Sequence, residues 1–274
     1  MWVVLALALA GCGERRATAH AGATPAAIAP AATPAATPAA RAVIAPAPAC
    51  VLAGAPYGVG RSRLRMARRS IVTGDRRRLD PLVFAPRDGG GCARPLVVFS
   101  HGHHGDPASC ADICARLARA GFLVVAPHHE DRAVDRIPLQ AGERVDDVLW
   151  VLDHLRLRHD RRRIGVAGHS FGGVTAGQVA SQDPRPRAVV SLAGTADHGT
   201  MASTTAPTLI IAGSDDRIET PEASRRSAAA IPATVPHELV VVPGAAHGDL
   251  LADCVVCDRV EAWMTRSLVN PQAG

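Results

Sequence analysis

Six short, mostly apolar runs set the first constraint on this chain: Pro95–Ser100, Phe122–Pro127, Ile164–Ala167, Ala188–Leu192, Thr208–Ala212 and Glu238–Val242. They do not alternate apolar with polar residues, which is the pattern of strands buried on both faces. Stretches with helical signals lie between them. Pro107–Ala120 has Pro at its start and Gly121 just past its end. Glu143–Leu155 puts Val145, Val148, Leu149, Leu152 and Leu155 on one face, and Glu222–Ala230 and Asp258–Ser267 are further helical stretches. Buried strands spaced by helices predict an α/β fold, with a mostly parallel sheet covered on both faces and right-handed crossovers. Arg63–Val72 and Leu79–Ala85 read as two edge strands joined by the turn Thr73-Gly74-Asp75.

In such a sheet, ligands sit at the carboxyl ends of the strands. The loops that follow the strands therefore carry the information about chemistry. One is Gly168-His169-Ser170-Phe171-Gly172-Gly173, a G-x-S-x-G corner between an apolar strand and the small-residue stretch Val174–Ala180. A sharp strand-to-helix corner crowds any β-carbon, so glycines flank the exposed serine. A serine hydroxyl needs a neighbouring base to act as a nucleophile. His247, directly after the last strand, is the candidate base. A base of this kind needs a carboxylate to fix its tautomer. Gly213-Ser214-Asp215-Asp216 offers two; adjacent side chains point apart, so one faces the imidazole, with Asp216 preferred and Asp215 in reserve.

A tetrahedral intermediate also needs an oxyanion hole. The backbone N–H groups of Phe171, after the serine, and of His103, in His101-Gly102-His103-His104-Gly105, are the expected donors. His101, His103 and His104, with His128 and His129, form a cluster that lacks a matched second set of metal-ligand spacings. It is read as polar lining of a cleft floor, with no metal and no cofactor expected.

These stretches, with Arg144–Leu155 and Pro207–Asp216, resemble the α/β-hydrolase superfamily. More narrowly, they resemble bacterial exported esterases of the cutinase, polyester-hydrolase and platelet-activating-factor-acetylhydrolase type. The resemblance covers residues 50–274. It implies a Ser170–His247–Asp216 triad, His103 and Phe171 as oxyanion donors, and hydrolysis of carboxylic esters through an acyl-enzyme. In the cutinase-like branch the loop after the strand that follows the elbow often presents a Trp. Here that loop reads Ala193-Gly194-Thr195-Ala196-Asp197-His198, without an aromatic residue. Related dienelactone hydrolases carry Cys at the elbow, where this chain has Ser170. Little room for a lid domain lies between Ala193 and Thr208, so an open cleft taking short or accessible esters is expected. Polymeric esters, phospholipid acetyl esters, or a catalytically silent binding protein are the alternatives.

The amino-terminal region reads differently. Met1–Ala10 is apolar and too short to span a bilayer. Leu9-Ala10-Gly11-Cys12 resembles a bacterial lipobox, which implies lipidation of Cys12, anchorage to the envelope membrane and export of the chain. Residues 13–49 are an Ala/Pro/Thr-rich tether that cannot build a core. Net charge is +5 with no lysine, and only 3% of residues are aromatic. A base-stacking surface is therefore not expected, and no nucleic-acid motif accompanies the arginines. Apart from Cys12, six cysteines remain: Cys50, Cys92, Cys110, Cys114, Cys254 and Cys257. An even number in an exported chain predicts disulfides without assigning them.

Overall fold

The computed structural model describes residues 64–68, 71–72, 78–86, 92–130 and 137–270. The expected leader, Cys12 and the tether lie outside these residues. All the described residues fall in one compact unit of the chain, Ala45–Gly274.

Its first strands are β1 (Leu64–Arg68), β2 (Ile71–Val72), β3 (Arg78–Leu79), β4 (Leu82–Pro86), β5 (Arg94–Ser100) and β6 (Leu123–Ala126). They are followed by β7 (His159–His169), β8 (Pro186–Leu192), β9 (Thr208–Gly213) and β10 (His237–Val242). The helices are α1 (Ala111–Arg119), α2 (Ile137–His154), α3 (Phe171–Gln182), α4 (His198–Ala202), α5 (Pro221–Ala230) and α6 (Cys254–Leu268). Eight strands form one sheet in the order β1-β4-β6-β5-β7-β8-β9-β10. From β6 to β10 every neighbouring pair is parallel, and β4 pairs antiparallel with both β6 and β1. The non-sequential order is the mark of crossover connections, as the buried apolar runs predict.

Side chains leave the strands alternately to the two faces and build two cores. On one face, Val97, Phe99, Val124, Val190 and Ile211 pack with Ile113 and Leu117 of α1 and Val260, Trp263 and Met264 of α6. On the other, Leu96, Val98, Val125, Val166 and Val189 pack with Val145, Val148 and Val151 of α2 and Val179 of α3.

Several expectations are corrected in detail. The two edge strands are each broken in two: β1 pairs with β4 and β2 with β3, and Pro81, which has no N–H to donate, lies in the second break. Glu238–Val242 is half-buried rather than buried, because β10 is the edge of the sheet and only one neighbour covers it. The helix expected at Glu143 begins at Ile137, with Pro138 in its first turn, where proline costs no hydrogen bond. The last helix begins at Cys254, because Asp253 caps it by accepting from the amides of Val255 at 2.7 Å and Val256 at 3.2 Å. Between β8 and β9 the chain holds only the five-residue α4 and its flanking turns.

The cysteines also depart from expectation. Cys110, Cys114, Cys254 and Cys257 are free thiols. Cys254 faces solvent while Cys257, one turn on, faces the core, so the close pair points in different directions. Cys110 and Cys114 are buried as small apolar side chains in the α1–α6 core. Burial pushes the Cys110 thiol up to about 11. Cys92 is disulfide-bonded.

Candidate active site

Ser170 sits between β7 and α3 with φ 55° and ψ −125°, a backbone conformation that non-glycine residues adopt only when their surroundings enforce it. The enforcement is visible in the glycines beside it. A β-carbon on Gly172 would lie 2.0 Å from the Ser100 carbonyl oxygen, and one on Gly168 would lie 2.2 Å from the Gly172 oxygen. Strand and helix thus approach until only glycine fits, and the serine is lifted out at the corner.

The three loops converge. His247 Nε2 lies 2.9 Å from Ser170 Oγ, and His247 Nδ1 lies 2.8 Å from Asp216 Oδ2. Asp216 is the buried member of the Asp pair. Its Oδ1 accepts from the backbone N–H groups of Ile218 at 2.8 Å and Glu219 at 2.9 Å. Asp215 is exposed and accepts from Ser214 Oγ at 2.8 Å, away from the imidazole. With Nδ1–H donating to a carboxylate, Nε2 is free to accept the serine proton. The arrangement can therefore deprotonate an attacking hydroxyl and stabilise the resulting imidazolium.

Phe171 is the first residue of α3, so its N–H has no intrahelical acceptor and lies at the positive end of the helix dipole. The loop with the other expected donor is adjacent: a β-carbon on Gly102 would stand 3.4 Å from Ser170 Cβ. His103 meets Phe171 edge-on, with ring centroids 5.5 Å apart.

Part of the histidine cluster is structural. His129 is buried, with Nδ1 2.9 Å from Asp147 Oδ2 and Nε2 3.2 Å from Ser100 Oγ. The His129 N–H donates to His101 Nε2 at 3.0 Å, which leaves the proton of His101 on Nδ1, donated to the Gly102 carbonyl at 2.7 Å. Among the described residues, no group of three or more His, Cys, Asp or Glu side chains is arranged to hold a metal ion.

Sequence reasoning missed the residues that brace the site. Arg144 is buried within α2 and donates to the carbonyls of His101 at 2.7 Å and Gly102 at 3.1 Å. Its signal was present: a charged residue in register with Val148 and Val151 on the buried stripe of α2. His169 Nε2 donates to the His247 carbonyl at 2.8 Å, and burial lowers the pKa of its ring. Thr195 Oγ1 donates to Glu219 Oε2 at 2.6 Å, joining the loop after β8 to the Asp216 loop. Burial, opposed by the Thr195 hydrogen bond, raises the Glu219 carboxyl above the ordinary glutamate range. A cleft of about 720 Å³ opens beside His247, lined by Ser214, Asp216, Arg217 and Ile218, and Ile218 is 72% exposed.

Comparisons with known proteins give the family and the fold. A family model described as PET hydrolase-like matches residues 65–270. Cutinase 1 of Thermobifida cellulosilytica is 28% identical over 64% of this chain and 68% of its own length. A cutinase of Thermobifida fusca is also 28% identical, over 64% of this chain and 60% of its own length. Among solved structures, a dienelactone hydrolase from Anabaena variabilis superposes with a TM-score of 0.63 at 22% identity. That match covers 75% of this chain and 99% of the other, and it supports the same α/β-hydrolase fold. The chain belongs to the PET hydrolase-like family of the α/β-hydrolase fold and is a carboxylic ester hydrolase.

Proposed function

We propose that Ser170, His247 and Asp216 are the catalytic triad and that the chain cleaves accessible esters through an acyl-enzyme. The continuous hydrogen-bond relay from Ser170 through His247 to Asp216 carries this reading. Ser170 Oγ attacks the ester carbonyl carbon while its proton passes to His247 Nε2. The N–H groups of His103 and Phe171 hold the oxyanion. Collapse of the intermediate expels the alcohol, which takes the proton from His247. A water, deprotonated by His247, then attacks the acyl-enzyme and releases the acid.

The substrates proposed are short or otherwise accessible carboxylic esters. The loop after β8 places Thr195 against Glu219, where the resembling branch often presents a Trp, so an aromatic acyl group gains no stacking partner from it. The cleft beside His247 is open, with the aliphatic Ile218 at its mouth. A second reading, aliphatic polyesters, is favoured by the family match. The leader and the Leu9–Cys12 motif support export and lipid attachment at Cys12, and the intact mass of the processed amino terminus beside Cys12→Ser tests both.

The enzyme test is hydrolysis of p-nitrophenyl esters from acetate to palmitate by the full chain and by Ser170→Ala. Turnover lost in Ser170→Ala and falling with acyl length is expected. Turnover that survives the substitution refutes the triad, and activity that climbs beyond decanoate refutes the short-ester reading. Release of acid from polycaprolactone film, compared with PET film, tests the polyester reading.

A further inference from the structure

We infer that Arg144 is the positioning residue of the oxyanion hole, holding the His103 and Phe171 N–H groups in register with Ser170. The inference rests on the triad reading above. Arg144 is 1% exposed and touches both halves of the hole. Two nitrogens of its guanidinium donate to successive carbonyls, Nη1 to His101 and Nη2 to Gly102. Its central carbon lies 4.7 Å from the centroid of the Phe171 ring.

The physical argument runs through the peptide unit between Gly102 and His103. A trans peptide is planar, with C=O and N–H pointing in opposite directions. The Gly102 oxygen accepts from Arg144 Nη2 at 3.1 Å, His101 Nδ1 at 2.7 Å and the Gly105 N–H at 3.1 Å. Three donors on one side turn the His103 N–H to the other. The planar fork of Arg144 spans two carbonyls with fixed spacing, which a lysine ammonium cannot reproduce. The same cation also meets the ring of the residue that supplies the second N–H, so one side chain sets the two donors relative to each other. Such preorganisation strengthens interactions that exist only once the carbonyl oxygen becomes an oxyanion.

Arg144 does not touch substrate, so its loss should leave binding intact and slow chemistry. The test uses the full chain with Arg144→Lys and Arg144→Gln, measuring kcat and KM on p-nitrophenyl butyrate. It also measures inhibition by an alkyl trifluoromethyl ketone, which forms a tetrahedral adduct with the serine. Removing one oxyanion donor costs about 10²–10³ in kcat, so misaiming it in these variants should cost about tenfold or more, with KM changed by less than about twofold. The inhibition constant of the ketone should rise by the same factor as kcat/KM falls.

A merely structural role would lower Tm and leave kcat per folded molecule and ketone affinity unchanged, which would overturn the inference. If neither variant folds, wild-type protein decides. Arg144 is almost fully buried, and its slowly exchanging ¹⁵N guanidinium signal should shift when the ketone binds; no shift overturns the inference. Wild-type turnover that survives Ser170→Ala would instead sink the triad reading. Turnover that needs Ser170 but ignores Arg144→Lys sinks only this inference.

Discussion

Replacing Asp216 by Asn changes one atom that matters. In the native site, Asp216 Oδ1 accepts from the Ile218 and Glu219 amides and Oδ2 accepts from His247 Nδ1–H. The Asn oxygen can keep the two backbone bonds. Its NH₂ group then faces His247 Nδ1, which must become an acceptor, and the imidazole proton moves to Nε2. That nitrogen, 2.9 Å from Ser170 Oγ, can no longer take the serine proton. The expected loss is that of a triad locked in the wrong tautomer, about 10⁴-fold in kcat or roughly 5.5 kcal/mol of barrier. Shape is nearly unchanged, so Tm and KM should move little. Asp215→Asn is the control: that carboxylate is exposed and bonded to Ser214, and kcat should stay within about twofold. The assay is p-nitrophenyl butyrate hydrolysis beside a thermal melt. If Asp216→Asn kept more than about a tenth of kcat, or if Asp215→Asn were the damaging change, the tautomer argument would be wrong.

Three further outcomes are expected. Gly172→Ala drives a β-carbon to within 2.0 Å of the Ser100 carbonyl oxygen, so it should cost more than about 3 kcal/mol, or roughly 6–12 °C in Tm, and a wild-type melt would contradict that contact. Cys254 should alkylate rapidly in native protein, while Cys110 and Cys114 should react only on unfolding. Peptide mapping that found Cys114 modified first would refute their burial. Burial raises the Glu219 carboxyl in the folded state, so its favourable contribution is full below the unfolded value of about 4.5 and lost as pH rises through the folded value. Glu219→Gln removes that dependence, so the melting temperature of the variant relative to wild type should climb as pH rises above about 4.5. A difference independent of pH would show that the carboxylate carries no burial penalty.

Much of this architecture was legible in the residues. Unbroken apolar runs identify strands covered on both sides, and Pro107, Gly121 and the elbow glycines punctuate the chain where the structure turns. The triad candidates were readable because each follows a strand and the Ser, Asp and His loops all open at the same edge of the sheet. Diverging neighbours said only that one of Asp215 and Asp216 faces the imidazole, and the resemblance favoured Asp216; in the structure Asp216 is the one beside His247, its Oδ1 held by two backbone N–H groups. What the pattern could not supply were contacts between distant elements. Arg144 and Asp147 interrupt the apolar stripe of α2, but their partners His101, Gly102 and His129 lie in other loops, and no local periodicity pairs them. The cysteine count was silent on pairing for a related reason, since number says nothing of direction: Cys254 and Cys257 share a helical turn yet face water and core respectively.

Among the described residues, the same three side-chain types occur in the same hydrogen-bond order twice. In Ser170–His247–Asp216 the histidine and the aspartate line the cleft, whereas Ser100–His129–Asp147 is buried, each member no more than 2% exposed. The second set has a base and a carboxylate, but it is buried and its serine is not held at a positive-φ corner. On the proposed triad reading, reactivity is a property of access and backbone conformation imposed on a common constellation. A fluorophosphonate should draw that distinction directly, marking Ser170 in the folded protein and leaving Ser100 untouched.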